Sequence, residues 1–222
     1  MNINDFIQSY IEATGNVDKK KKMEIIRNSY GILENQKPGY LNLIICMEEL
    51  GELNIECLNY IDYLENTDES KLIDRDREIP EHLLEELADV QICTDYILDI
   101  CDLPKEKYAN ETYMKESYFR HPHGLYEEDV EKENELLKKT LLKTVKDNSI
   151  LQHQLSKYLR GKENKTNLYK ALFMVQCCIY SIMGQCYIDK DMMNKAIQVK
   201  LDRQDKRNHE INVDKENNME LE

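Results

Sequence analysis

Apolar residues recur at helical spacing along nearly the whole chain. Leu43, Met47, Leu50 and Leu53 fall three or four positions apart, and the same period runs through Leu83, Leu87 and Val90 and again through Leu168, Leu172 and Val175. Polar residues fill the intervening positions, which is the pattern of amphipathic helices. Only seven glycines and four prolines interrupt the 222 residues. The pattern predicts helices over 3–13, 20–34 and 41–64, then one that starts with Pro80 in its first turn and runs to about residue 100, ahead of Pro104. A break over 117–125 contains His121, Pro122, His123 and Gly124; the two histidines read as solvated loop residues. A helix over 127–159 ends at Gly161, and another covers 168–186. Residues 208–222 are polar and read as a disordered tail.

The second regularity is a repeat. Sliding the chain by 85 positions aligns LLEELADVQICTDYILDICDLPKEK with LYKALFMVQCCIYSIMGQCYIDKDM without a gap. Identities fall at Leu83 and Leu168, Leu87 and Leu172, Val90 and Val175, Gln91 and Gln176, Cys93 and Cys178, Ile97 and Ile182, Cys101 and Cys186, and Lys105 and Lys190. Shared amphipathic period accounts for apolar matches alone, but not for matches at Gln, Cys and Lys. Two helices with apolar stripes need a partner pair to bury them. The expected architecture is therefore an all-α helical bundle built from a tandem-duplicated helix pair, with a four-helix core and extra helices. One domain spans 1–207, with a first half over about 1–120 and a second over about 125–207.

The halves differ in their acidic residues. Glu49 and Glu52 lie three apart in the predicted helix over 41–64, and Glu86 and Asp89 lie three apart in the next. Such spacing projects both carboxylates from one helix face. In the second half Glu86 aligns with Ala171 and Asp89 with Met174, and the stretch LLKTVKDNSILQHQL has no ExxE. An ExxE taken alone is more often a solvated face. Here both pairs sit in apolar frames, with Gly51 and Ala88 inside the motifs, where small side chains allow close helix approach. Four carboxylates facing one another need cations, because two like charges about 4 Å apart repel by on the order of 4 kcal/mol at an effective dielectric of about 20. An all-oxygen ligand set suits Mg²⁺, with Mn²⁺ as the alternative, over Zn²⁺.

The run Glu48-Glu49-Leu50-Gly51-Glu52, followed by Glu86-Leu87-Ala88-Asp89, resembles the EExxE and ExxD signature of the all-α nucleoside triphosphate pyrophosphohydrolases, which include MazG-type proteins and dimeric dUTPases. The match covers about residues 41–101, and the long charged connector over 66–80 departs from it. The duplication with one degenerate half resembles the dimeric dUTPase branch. The resemblance implies hydrolysis of a nucleoside triphosphate to the monophosphate and pyrophosphate, in nucleotide-pool control. It implies Mg²⁺ held by Glu49, Glu52, Glu86 and Asp89, with Glu49 also orienting the attacking water. Glu48 points about 100° away around the helix. The resemblance also implies phosphate contacts from Lys200, Arg203 and Arg207, with Lys115 as the poorer match in the first half; the same basic run also reads as a last helical turn answering the helix dipole. Phe6, Gln8, Tyr10 and Asn42 could form a base pocket, and they read equally as core and surface. The chain has no Trp, so the tryptophan-rich segment of many dimeric dUTPases is missing and dUTP, dCTP and damaged nucleotides all stay open. The alternative is a non-catalytic nucleotide- or metal-binding regulatory protein of the same fold.

Composition narrows the partners. A net charge of −13 argues against nucleic acid as a partner, since that footprint is basic. It leaves a nucleotide substrate open, because bound cations invert the local field. Seven cysteines without a CxxC read as reduced core thiols. The first residues lack a basic and apolar leader, and no apolar run approaches membrane-spanning length. The expectation is a cytoplasmic protein with no membrane partner, and a homodimer is left open.

Overall fold

The computed structural model describes residues 39–66, 80–105, 107, 130–162 and 164–219. Five helices account for almost all of them: α1, Tyr40–Asn66; α2, Glu81–Ile100; α3, Val130–Leu159; α4, Lys165–Gln185; and α5, Lys190–Met219. No strand occurs among the described residues, so the protein is all-α. The helices predicted over 3–13 and 20–34, the break over 117–125 and the middle of the α1–α2 connector lie outside the described residues.

The apolar period sets the packing. α1 lies between α2 and α3, α3 packs against α1 and α4, and α4 touches α2, which closes a four-helix core. Leu43, Leu50 and Leu53 of α1 meet Leu83 and Leu87 of α2, with Leu137, Leu141, Leu151 and Leu155 of α3 and Leu168 and Leu172 of α4 in the same cluster, all essentially inaccessible to solvent. Each such leucine stabilises the fold by roughly 1.5–3 kcal/mol relative to exposure. α5 packs against α2 through a narrow stripe of Met193, Ile197 and Leu201, buried at four-residue spacing.

Local chemistry sets the ends. At the start of α1, Gly39 has φ +90°, and a Cβ there would lie 2.8 Å from Ile100 Cγ2, so glycine lets the chain pass the end of α2. Asn164 caps α4 by accepting from the Thr166 amide at 2.8 Å. Asp189 Oδ1 accepts from the Met192 amide at the start of α5 at 2.8 Å. Gly161 ends α3 with φ +66°, as its position predicts.

The repeat is written into the backbone as well. α2 ends with Asp102 at φ +49° and the Leu103 amide donating to Leu98 O at 3.0 Å; α4 ends with Tyr187 at φ +55° and the Ile188 amide donating to Met183 O at 2.9 Å. These are the same left-handed termination, with a buried apolar residue following it in each case. Gln176 Nε2 donates to Gln91 Oε1, its counterpart 85 residues away. Asn148 Nδ2 donates to Asn54 Oδ1, 94 residues away, where α1 crosses α3. The two offsets differ by nine, which is the difference in length between the α1–α2 connector (67–80) and the α3–α4 connector (160–164). The halves are thus related by an approximate twofold axis, and the half that carries the acidic pairs has the longer connector.

Two expectations need correction. α5 continues as helix through 208–219, where the polar sequence predicts a disordered tail. The reason is local: no Gly or Pro falls between Lys190 and Met219, so nothing in the polar sequence breaks the helix. Gly51 is not a site of tight helix approach either, since a Cβ there would meet only the end of the Gln152 side chain, at 3.5 Å. Ala88 is fully buried. Among the described residues, no single helix is long and apolar enough to cross a membrane; α4 with the start of α5 passes by length and composition only as a pair bent by 119°.

Candidate functional site

α1 and α2 run side by side, and their acidic pairs meet. Glu49 and Glu52 from α1 and Glu86 from α2 can each place a carboxylate oxygen within 4.8 Å of the other two. Asp89, one turn along α2, is turned to a different partner: Lys200 of α5, whose Nζ lies 2.5 Å from Asp89 Oδ2. The same ammonium lies 3.5 Å from Glu85 and 3.7 Å from Glu86. Arg203 Nη1, one turn further on, donates to Glu85 Oε1 at 3.0 Å. The site thus combines five carboxylates from two helices of the first half with two cations delivered by the last helix of the second.

Its electrostatics follow from burial and like charge. Burial and the neighbouring Asp89, Glu52 and Glu86 push the Glu49 carboxyl up to about 8, with Lys200 opposing. Burial raises Glu86 to about 7, against the pull of Lys200. Asp89 is raised by burial, although the Lys200 hydrogen bond works the other way. Glu85 feels some burial, yet Lys200 and Arg203 outweigh it and hold its carboxyl below the usual range. Burial disfavours the Lys200 ammonium, but Asp89, Glu86 and Glu85 raise it overall. One lysine therefore leaves the cluster short of positive charge.

That shortage bears on whether a divalent cation fits. Glu86 is only 13% exposed at its side chain, and its Oε2 is buried with no hydrogen-bond donor. A buried acceptor without a donor is costly. Three converging carboxylates of all-oxygen character are the donor set Mg²⁺ or Mn²⁺ takes, so the residues fit such an ion.

Glu49, Glu52 and Glu86 come together, and Asp89 adjoins them through Lys200. Glu48 is exposed. Of the basic residues, Lys200 and Arg203 reach the acidic site, Arg207 is exposed further along α5, and Lys115 lies outside the described residues. Among the base-pocket candidates only Asn42 is described; it is buried, and its Oδ1 has no hydrogen-bond donor. Sequence reasoning missed Glu85. Its partner Arg203 lies 118 residues away, and no local pattern announces the contact.

Among the described residues, the second half holds no such cluster. Counting from the Asn54–Asn148 pair, Lys143 stands where Glu49 does and Lys146 where Glu52 does, while Ala171 and Met174 replace Glu86 and Asp89. Lys143 is engaged with Asp147 at 2.5 Å and with the buried Cys178 thiol at 3.5 Å. All seven cysteines are buried, and none is joined in a disulfide. No family model, curated protein or solved structure matches the chain.

Proposed function

We propose that the protein is a Mg²⁺-dependent nucleoside triphosphate pyrophosphohydrolase, cleaving between the α and β phosphates to release a monophosphate and pyrophosphate. The observation that carries this reading is the convergence of Glu49, Glu52 and Glu86 from two adjacent helices, in the one half that keeps the EExxE and ExxD motifs. Glu49, Glu52 and Glu86 would hold the ion, with Asp89 beside them on Lys200. Once bound, Mg²⁺ supplies positive charge for the phosphate oxygens and lowers the pKa of a water. Glu49 would orient the attacking water through a carboxylate oxygen. Lys200 and Arg203 place positive charge on the α5 side of the site, where a polyphosphate needs it.

The test is pyrophosphate release from standard and modified nucleoside triphosphates, with and without Mg²⁺, beside the Glu49→Gln variant. Release that needs both Mg²⁺ and Glu49 is expected. Nucleotide and Mg²⁺ binding without any release would replace the enzyme by a regulatory nucleotide-binding protein of the same fold. Neither binding nor release would end both readings.

A further inference from the structure

α5 belongs to the second half by sequence, yet it packs on α2 of the first. This crossing brings Lys200 into the acidic site. Lys200 is only 17% exposed and Asp89 18%, so the pair is largely withdrawn from water and is worth more than a surface ion pair. The contact also has a consequence for geometry: one oxygen each from Glu49, Glu52 and Glu86 lies within 4.8 Å of the other two, and Asp89, the fourth residue of the motif, is held by an ammonium instead.

Resting on the reading of this site as a divalent-ion centre, we propose that Lys200 is its resident counter-ion: it neutralises Asp89 in the ion-free protein and must leave Asp89 before a divalent cation takes all four carboxylates. An ammonium and a divalent cation cannot share the same few ångströms without strong repulsion. The lysine has somewhere to go, because Glu85 lies 3.5 Å from its Nζ. Glu85 is itself fixed by Arg203, and the apolar stripe of Met193, Ile197 and Leu201 keeps α5 on α2 while the side chain moves. Glu85 is then a positioning residue, which receives the displaced ammonium without touching the ion. Lysine is suited to this exchange, since its flexible stem carries a compact charge that can swing between acceptors.

The experiment is Mn²⁺ binding to the full chain without nucleotide, read by calorimetry and by the loss of the free-ion paramagnetic resonance signal. Wild type is compared with Lys200→Met, Lys200→Gln, Asp89→Asn, the Lys200→Met/Asp89→Asn double variant and Glu49→Gln, with helicity checked for each. Removing the competing charge is expected to tighten Mn²⁺ binding by at least about tenfold in both Lys200 variants. Asp89→Asn is expected to weaken binding several-fold more in the Lys200→Met background than in wild type, because only there is Asp89 free to act as a ligand. Unchanged or weaker binding in the Lys200 variants, or a gain indifferent to Asp89, overturns the counter-ion role while leaving the ion site standing. Failure of wild type to bind Mn²⁺, or binding untouched by Glu49→Gln, overturns the ion site and the counter-ion with it.

Discussion

Gln176 donates a hydrogen bond to Gln91 at 2.6 Å, and each residue is the other's counterpart in the repeat. Equivalent residues touch each other only where a twofold axis passes between them. Asn54 and Asn148 mark a second crossing, where α1 meets α3. The halves of this chain therefore pack as two subunits of a dimer would. The second half has other residues in place of the acidic pairs, but its helices bury the stripes of the first half and its last helix carries Lys200 and Arg203 into the acidic site.

The Asn148 contact is open to a stability test. Its side chain is fully buried and bridges Asn54 Oδ1 at 2.9 Å and Leu50 O at 3.5 Å. Asn148→Ala removes both bonds, leaves Asn54 Oδ1 without this donor and opens a small cavity. A loss of about 1–3 kcal/mol is expected in urea denaturation. A change below about 0.5 kcal/mol, the range of an inconsequential surface substitution, would mean that the crossing of α1 and α3 does not depend on this pair.

Much of the fold was legible because period and punctuation agree. Predicted 41–64 and observed Tyr40–Asn66 differ by a residue or two, and Pro80 and Gly161 mark the ends they were read to mark. α5 was harder. Its apolar positions are few and its outer face is almost wholly charged, so its polar end reads equally as a solvated helix or as a tail. The acidic pairs were legible because three-residue spacing on adjacent helices is a local pattern. The ion pairs of Lys200 and Arg203 with Glu85 and Asp89 were not, since they arise from how α5 crosses between the halves.

Gly51 gives a correction that can be measured. A glycine between the two glutamates of the acidic site suggests a tight contact, yet the nearest atom to an added Cβ is the side-chain amide of Gln152 at 3.5 Å, an ordinary van der Waals distance. Gln152 Nε2 already donates to Met47 O at 2.7 Å and has no need to move. Gly51→Ala should therefore raise helix stability by about 0.5–1 kcal/mol and leave Mn²⁺ affinity unchanged. A drop in melting temperature would show a close approach that the Gln152 contact does not reveal.

Glu49 should make the ion-free protein less stable as pH rises. In the unfolded chain its carboxyl titrates near 4.5, while burial and then Asp89, Glu52 and Glu86 push it to about 8 in the fold. Below pH 4.5 both states hold the proton and the group makes no difference. Between about 4.5 and 8 the unfolded state releases a proton that the folded state keeps, so stability falls across this window and levels off above it. Glu86, raised to about 7, acts in the same direction. Because the site is partly open to water, the Glu49 contribution is about 1–2 kcal/mol rather than the full value of the shift. Glu49→Gln removes it. Urea denaturation in chelator should find the variant as stable as wild type at pH 4 and more stable by about that margin at pH 8.5. Saturating Mg²⁺ should erase the advantage, since the ion stabilises the ionised carboxylate of wild type and has less to hold in the variant. Equal stability at both pH values in chelator would mean that Glu49 faces solvent more freely than its neighbours allow.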